Sequence, residues 1–263
     1  MSFFKKIFGT AADPFKAHDP LSLSNPQSSA SSTDKRAHDR IHIFARGNSW
    51  LDVGPKLQLN NLSYGGVACE ESKESSHFEP GQNLNGTLHV CGRSIAVELT
   101  VIYSRNGVQA FRFNHGSSET LIALRDIIES MQAGASLRPI SKENLKAEYQ
   151  SSHWVCLGGD RGTFLRIKST ASGRLDEALL SFRIDSAKAT EVTWCAGKVT
   201  TSFTTGEEHA GKIGSVTTVS ATPDALTLER ARLLLAAMNP KPGAWAGVID
   251  ELMGALTTKK QSY

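Results

Sequence analysis

The sequence predicts a mainly β protein with some helix: a small antiparallel barrel closed by one trailing helix, followed by an α+β unit. Three observations carry this expectation. Apolar residues alternate with polar ones from Leu84 to Phe113 between turn-like separators, and a period of two means sheet with one buried face. From Ser117 the apolar spacing becomes helical. Beyond residue 153 a second succession of strand patterns and then helix patterns follows. Short strands at such close spacing favour a closed barrel.

At 263 residues the chain has room for one large or two ordinary domains, each with a core of its own. The boundaries predicted are a flexible segment over residues 1–34, a barrel over 35–134, a linker over 135–152 and an α+β unit over 153–263. At the start, Phe4, Ile7 and Phe8 fall at helical spacing beside Lys5 and Lys6, a pattern that suits an anionic membrane surface or a partner groove. So short a stretch is a poor isolated helix, and a frayed terminus is the favoured reading. Thr10 to Asp34 carries Pro14, Pro20, Pro26 and a serine-rich run, the composition of a flexible linker.

Next comes Lys35-Arg36-Ala37-His38-Asp39-Arg40, then a strand-like run, Ile41 to Ala45, and further on Asn61-Leu62-Ser63-Tyr64-Gly65-Gly66. A guanidinium is a planar fork of donors that bonds bidentately to phosphate or to the O6/N7 edge of guanine. Arg36 and Arg40 would share a face if helical, or lie about 13 Å apart if extended. Asn61 and Ser63, two apart at a strand end, would point to one side and offer an amide and a hydroxyl. Gly65 and Gly66 allow a tight turn or a positive φ. His38 and His42 flank Arg40, but histidines in an exposed loop are more often incidental.

The two segments together resemble the signature of the PilZ family, Arg-x-x-x-Arg followed by Asp/Asn-x-Ser-x-x-Gly, and the resemblance covers about residues 35–134. It implies a β-barrel with a trailing helix and, as ligand, cyclic di-GMP, a bacterial second messenger. It also implies ligand-binding roles for Lys35, Arg36, Arg40, Asn61, Ser63 and Gly66.

The barrel strands alternate Leu84, Gly86, Leu88, Val90 and then Ile95, Val97, Leu99, Val101 against polar or small neighbours, and Val108 to Phe113 repeats the pattern. Their separators are Glu79-Pro80-Gly81, Cys91-Gly92-Arg93 and Arg105-Asn106-Gly107, of which Asn106-Gly107 is a type I′ hairpin signal. Leu121, Leu124, Ile127, Ile128 and Met131 then line one helical face, with serines and Gly134 as its caps.

In the second unit, strands are predicted over residues 153–157, 163–169, 178–184, 191–195, 199–204 and 213–219. A helix begins at Thr222-Pro223-Asp224 with Pro at its first turn, and Leu228, Ala231, Leu235 and Met238 share its face. Asn239 to Gly243 breaks it, and Trp245, Val248, Ile249, Leu252, Met253 and Leu256 stripe a last helix, more often core than docking face. Gly158-Gly159-Asp160-Arg161-Gly162 lacks the Lys-Ser/Thr of a phosphate-binding P-loop and reads as a hairpin turn. The acids there are scattered, and His153 and His209 have no nucleophile beside them.

A net charge of +3 is too small to argue for bulk nucleic-acid binding, so anion recognition must be local. Cys69, Cys91, Cys156 and Cys195 show neither Cys-x-x-Cys nor metal-ligand spacing and read as reduced core or near-core residues. With no membrane-length apolar run and no signal-peptide start, the sequence predicts a cytoplasmic location. The function expected is a non-enzymatic receptor for cyclic di-GMP, with no cofactor or metal, that passes occupancy to its C-terminal unit or to a protein partner through it. Two readings stay open beside it: a PilZ-like protein-interaction adaptor that binds no nucleotide, and an enzyme in the C-terminal unit gated by the messenger.

Overall fold

The computed structural model describes residues 41–42, 49–71, 78–114, 117–183, 188–209, 212–220, 222–238 and 245–257. Among the described residues, fourteen strands form two antiparallel sheets, with three α-helices beside them. The first sheet contains β1 (Ile41–His42), β2 (Ser49–Asp52), β3 (Lys56–Ser63), β4 (Gly66–Glu70), β5 (Asn83–Val90), β6 (Arg93–Arg105) and β7 (Val108–Phe113). Its order is β1-β3-β2-β5-β6-β7-β4, and β3 also pairs with β4. That last pairing closes β2 to β7 into a six-stranded barrel, as the alternating pattern predicts. β1 lies outside the ring along β3, with Ile41 opposite Leu62 and His42 opposite Asn61.

Alternation decides which side chains fill the barrel. Leu57, Leu59, Leu62, Leu88, Val90, Val97, Leu99 and Val101 point inward and are buried. Two hairpins turn through left-handed residues, Cys91-Gly92 with φ of 50° and 92° and Asn106-Gly107 with 56° and 73°. Positive φ at both central residues matches the right-handed twist of the flanking strands. Cys69, Cys91 and Cys156 are buried as expected, whereas Cys195 is exposed beside the Ala196-Gly197 turn.

Helix α1 (Ser118–Ala135) starts where its sequence says it should: the Ser117 hydroxyl accepts from the Thr120 amide at 3.2 Å. Leu124, Ile127, Ile128 and Met131 are buried against the barrel. Leu121, expected on that face, is 45% exposed. Gly134, expected as the C-cap, lies inside the helix, which is capped by Ser136.

The second sheet is a meander in chain order, from β8 (Arg138–Pro139) and β9 (Trp154–Gly158) through β10 (Phe164–Ser169), β11 (Leu175–Arg183), β12 (Lys188–Cys195) and β13 (Lys198–His209) to β14 (Lys212–Val219). β8 and two 3₁₀ turns at Lys142–Asn144 and Ala147–Tyr149 occupy the polar stretch between α1 and β9. Leu145 from this stretch is buried with Cys156, Phe164 and Leu179 on one sheet face. The other face packs against α2 (Ala225–Ala236) and α3 (Ala246–Ala255). The cap of α2 is Asp224, whose carboxylate accepts from the Thr227 amide at 2.7 Å, so the helix begins after Pro223 rather than at it. The expected break at Asn239 to Gly243 lies outside the described residues.

Helix α2 is buried on two sides. Leu228, Ala231, Leu234 and Leu235 belong to the core of the second sheet, and Leu233, Ala236 and the following Ala237 belong to the core shared by the barrel and α1. Leu233 alone, fully buried, contributes roughly 1.5–3 kcal/mol. Between the helices the Asp126 carboxylate of α1 accepts from Arg93 at the start of β6 and from Arg230 of α2, each at 2.5 Å, and Arg93 also pairs with Glu229 at 3.1 Å. One carboxylate therefore joins barrel, α1 and α2.

The crossing of α1 over α2 is close enough that a Cβ on Gly134 would stand 1.9 Å from the Leu234 carbonyl oxygen. Backbone cannot yield as a side-chain tip can, so Gly134→Ala forces the helices apart. In urea unfolding followed by far-UV circular dichroism it should cost at least about 2 kcal/mol. Gly254→Ala on the exposed side of α3, where a Cβ meets nothing within 4 Å, is the control and should gain about 0.5–1 kcal/mol.

Candidate functional site

Of the residues singled out for ligand binding, Asn61, Ser63 and Gly66 are described; Lys35, Arg36 and Arg40 lie outside the described residues, as does His38. Asn61 and Ser63 stand on β3 on either side of fully buried Leu62, so both face away from the barrel interior. Both are half-buried. This is the arrangement their spacing predicts.

The pairing of β3 with β4 adds something the spacing did not. Leu59 lies opposite Cys69 and Asn61 opposite Ala68, so Asn60 is an extra residue, a β-bulge directly before the motif. Bulges re-aim neighbouring side chains and raise local twist. Past the bulge, Ser63 pairs with Gly66 around the two-residue turn Tyr64-Gly65, and the Ser63 hydroxyl donates to the Gly66 carbonyl at 3.2 Å. One hydroxyl thus fastens the turn and keeps its lone pairs for another donor.

Gly65 lies in the tight turn expected, whereas Gly66 does a different job. Positive φ is absent from Gly65 and Gly66. Gly66 is instead required by close approach: a Cβ there would lie 2.1 Å from the Phe111 carbonyl oxygen and 3.1 Å from the Arg112 Cα on β7. Gly66 lies opposite Arg112 in the β4–β7 pairing that completes the barrel. Its smallness serves barrel closure first.

Tyr64, between the two halves of the motif, is 36% exposed. Its phenol is raised above the ordinary tyrosine range by burial and then by the Glu129 carboxylate, while Arg125 and Arg161 act against the rise. Glu129 of α1 accepts from Arg125 at 3.0 Å, one turn away on the same helix, and pairs with Arg161 at 3.7 Å. Arg161 belongs to the 3₁₀ turn Asp160–Gly162 that joins β9 to β10. The sequence reading of that stretch as a hairpin turn holds. Its electrostatic influence on the motif was not legible, because Glu129 and Arg161 act on the Tyr64 phenol from two distant segments. A cleft lined by Asp126, Glu129, Ser130, Arg161, Arg183 and Arg230 continues from there between α1, α2 and the second sheet.

Elsewhere on the surface, Trp50 stacks on His89 at 4.5 Å with Lys56 over its ring at 5.5 Å. In the second unit Arg166 lies over Tyr149 and Trp154, bonds the Tyr149 hydroxyl at 2.7 Å and pairs with Glu177 at 2.7 Å. Burial raises the nearby Glu191 carboxyl, with Ser202 and Arg166 opposing, and burial pushes the Cys156 thiol up to about 11 against the pull of Arg166. A thiol so raised is protonated and a poor nucleophile near neutral pH. Among the described residues no group of three or more His, Cys, Asp or Glu side chains is placed to hold a metal ion. Among them, too, no helix is long and apolar enough to cross a membrane.

No family model matches the chain, and no curated protein matches it. A solved structure, that of an uncharacterised protein from Legionella, is similar over 35% of this chain and 90% of its own, at 12% identity and a TM-score of 0.28. A likeness of that size transfers neither fold nor function.

The two motif residues with described contacts should separate cleanly by stability. Gly66→Val places a branched side chain against β7 backbone and should leave the purified chain unfolded or lower its urea stability by more than about 3 kcal/mol. Ser63→Ala removes one neutral hydrogen bond and should cost about 0.5–1.5 kcal/mol. Equal stability of Gly66→Val and the parent would mean that β4 and β7 do not approach as described.

Proposed function

We propose that this protein is a receptor for cyclic di-GMP, held by Arg36, Arg40, Asn61 and Ser63, with Lys35 beside the first arginine. One observation supports the reading most. Ile41, the residue after Arg40 in the chain, pairs with Leu62 of β3, and Leu62 is the residue between Asn61 and Ser63. The arginine pair is thereby tethered by the covalent chain to the strand that carries the amide and the hydroxyl. Two guanidiniums supply the charge for a dianionic dinucleotide, and the amide and hydroxyl suit a guanine edge. The six-stranded barrel with α1 behind it has the form that the PilZ resemblance implies.

As a receptor rather than a catalyst, the protein would report occupancy through the rest of the chain or through a protein partner. Helix α2, buried in both cores, gives the barrel and the second sheet a common wall. A ligand shifts such an arrangement only by its differential affinity for two states.

Isothermal titration of the purified chain with cyclic di-GMP tests the reading. Arg36→Ala and Arg40→Ala should each weaken binding roughly ten- to a hundredfold, the worth of charge-assisted bonds of about 1.5–3 kcal/mol, with urea stability unchanged. Binding that survives the double substitution within about a factor of two refutes the site. A parent chain that binds no cyclic di-GMP favours the adaptor reading instead.

A further inference from the structure

Three arginines line the cleft between α1, α2 and the second sheet, each on a support of its own. Arg230 comes from α2, and its side chain is only 15% exposed. Its one described hydrogen bond, from Nε to the Asp126 carboxylate at 2.5 Å, holds the guanidinium in place and uses one of its five donors. Arg161 comes from the turn between β9 and β10, which the Asp160 amide pins to the end of α1 by donating to the Ser136 hydroxyl at 2.9 Å. Its side chain is 71% exposed, and its ion-pair partner Glu129 stands 3.7 Å away. Arg183 ends β11 and is exposed. It lies against the same turn, since a Cβ on Gly162 would stand 3.6 Å from its Nε. Among the described residues Arg183 makes no hydrogen bond or ion pair.

The acids of the cleft do not balance these cations. Two carboxylates line it, Asp126 and Glu129, and each is also claimed from outside the lining, Asp126 by Arg93 at 2.5 Å and Glu129 by Arg125 at 3.0 Å. A surplus of positive charge is left, and Arg183 is its source. A cleft lined by one sign of charge concentrates the opposite ion. Buried Phe182 and Leu234 line the same space, and apolar walls strengthen a charge interaction above its worth in water. Mouth included, the space is about 410 Å³, at the small end for ligand sites. It suits a phosphate group rather than a dinucleotide. A phosphate oxygen pair also matches the planar fork of a guanidinium, which gives the surplus arginine a bidentate acceptor.

We propose that this cleft binds a phosphate group, gripped by Arg183 and Arg161 from the second sheet and met by Arg230 from α2. None of the motif residues lines the cleft, so the site stands apart from the cyclic di-GMP reading. The bound phosphate joins the end of β11, the β9–β10 turn and α2. A ligand that binds only this packed arrangement stabilises it by mass action.

The test titrates the full chain with inorganic phosphate, and separately with glycerol phosphate, at fixed pH and ionic strength, followed by phosphorus NMR line width and by the urea midpoint. The parent should saturate with half-saturation at or below about 1 mM, and its urea midpoint should rise with phosphate. Arg183→Ala removes no described bond, so it should leave phosphate-free stability unchanged and weaken binding at least about tenfold. Arg161→Asn, which keeps a residue tolerant of the left-handed φ of 53° there, should weaken it roughly three- to tenfold. Arg105→Ala, at an exposed arginine of the barrel outside the cleft, is the control and should bind as the parent does. Tighter binding of glycerol phosphate identifies an esterified phosphate as the occupant, and tighter binding of inorganic phosphate the free ion; either order supports the site when Arg183→Ala weakens both. A parent response that does not saturate, or binding unaltered by Arg183→Ala, overturns the proposal. So does an equal loss in Arg105→Ala, because phosphate would then be reading net charge alone. The cyclic di-GMP reading is untouched by each of these results.

Discussion

The close crossing of α1 over α2 at Gly134 is the constraint on which the arrangement depends. Apolar burial is non-directional, and by itself it would let the two helices slide. A glycine facing a carbonyl oxygen, with no room for a methyl, fixes the distance. The shared Asp126 carboxylate, gripped by Arg93 and Arg230, fixes the rotation. With both set, Leu233 and Ala236 fall into the barrel core while Leu234 and Leu235 fall into the other.

From this frame the candidate site acquires its neighbours. Glu129 of α1 pairs with Arg161 of the β9–β10 turn, and both charges act on the Tyr64 phenol of the barrel turn. The electrostatics there are unbalanced. Asp126, deeper in the helix crossing, gives one oxygen to each of its two arginines, whereas a single oxygen of Glu129 faces two exposed cations. The deeper pair is held more firmly than the outer one, because exposure and salt screening weaken a surface pair far more than a part-buried one.

Local signals made the elements legible. Alternation named the strands, Asn106-Gly107 and Cys91-Gly92 named their turns, and Ser117 opened α1. What escaped the sequence is non-local. Gly134 sits near the end of a helical pattern and so resembles a cap; only the carbonyl of Leu234, far along the chain, reveals what it is for. The second buried face of α2 is likewise invisible, since Leu233 and Ala236 complete no periodic stripe with Leu228 and Ala231. At the site, the shared side of Asn61 and Ser63 followed from their spacing of two along a strand. The bulge at Asn60 depends on the register with β4, and the part played by Gly66 depends on the approach of β7; neither is written in the motif itself.

The position of α2 along the chain has a consequence for synthesis. A nascent polypeptide that has emerged as far as Ala135 already contains every barrel strand and α1, yet Leu233, Ala236 and Ala237, which finish that core, are still to be made. Until they arrive, the apolar flank of α1 and its tight glycine face are open to water and to other chains. Domains of most proteins fold in the order in which they leave the ribosome; here the first core must wait for a segment from much further along the polypeptide.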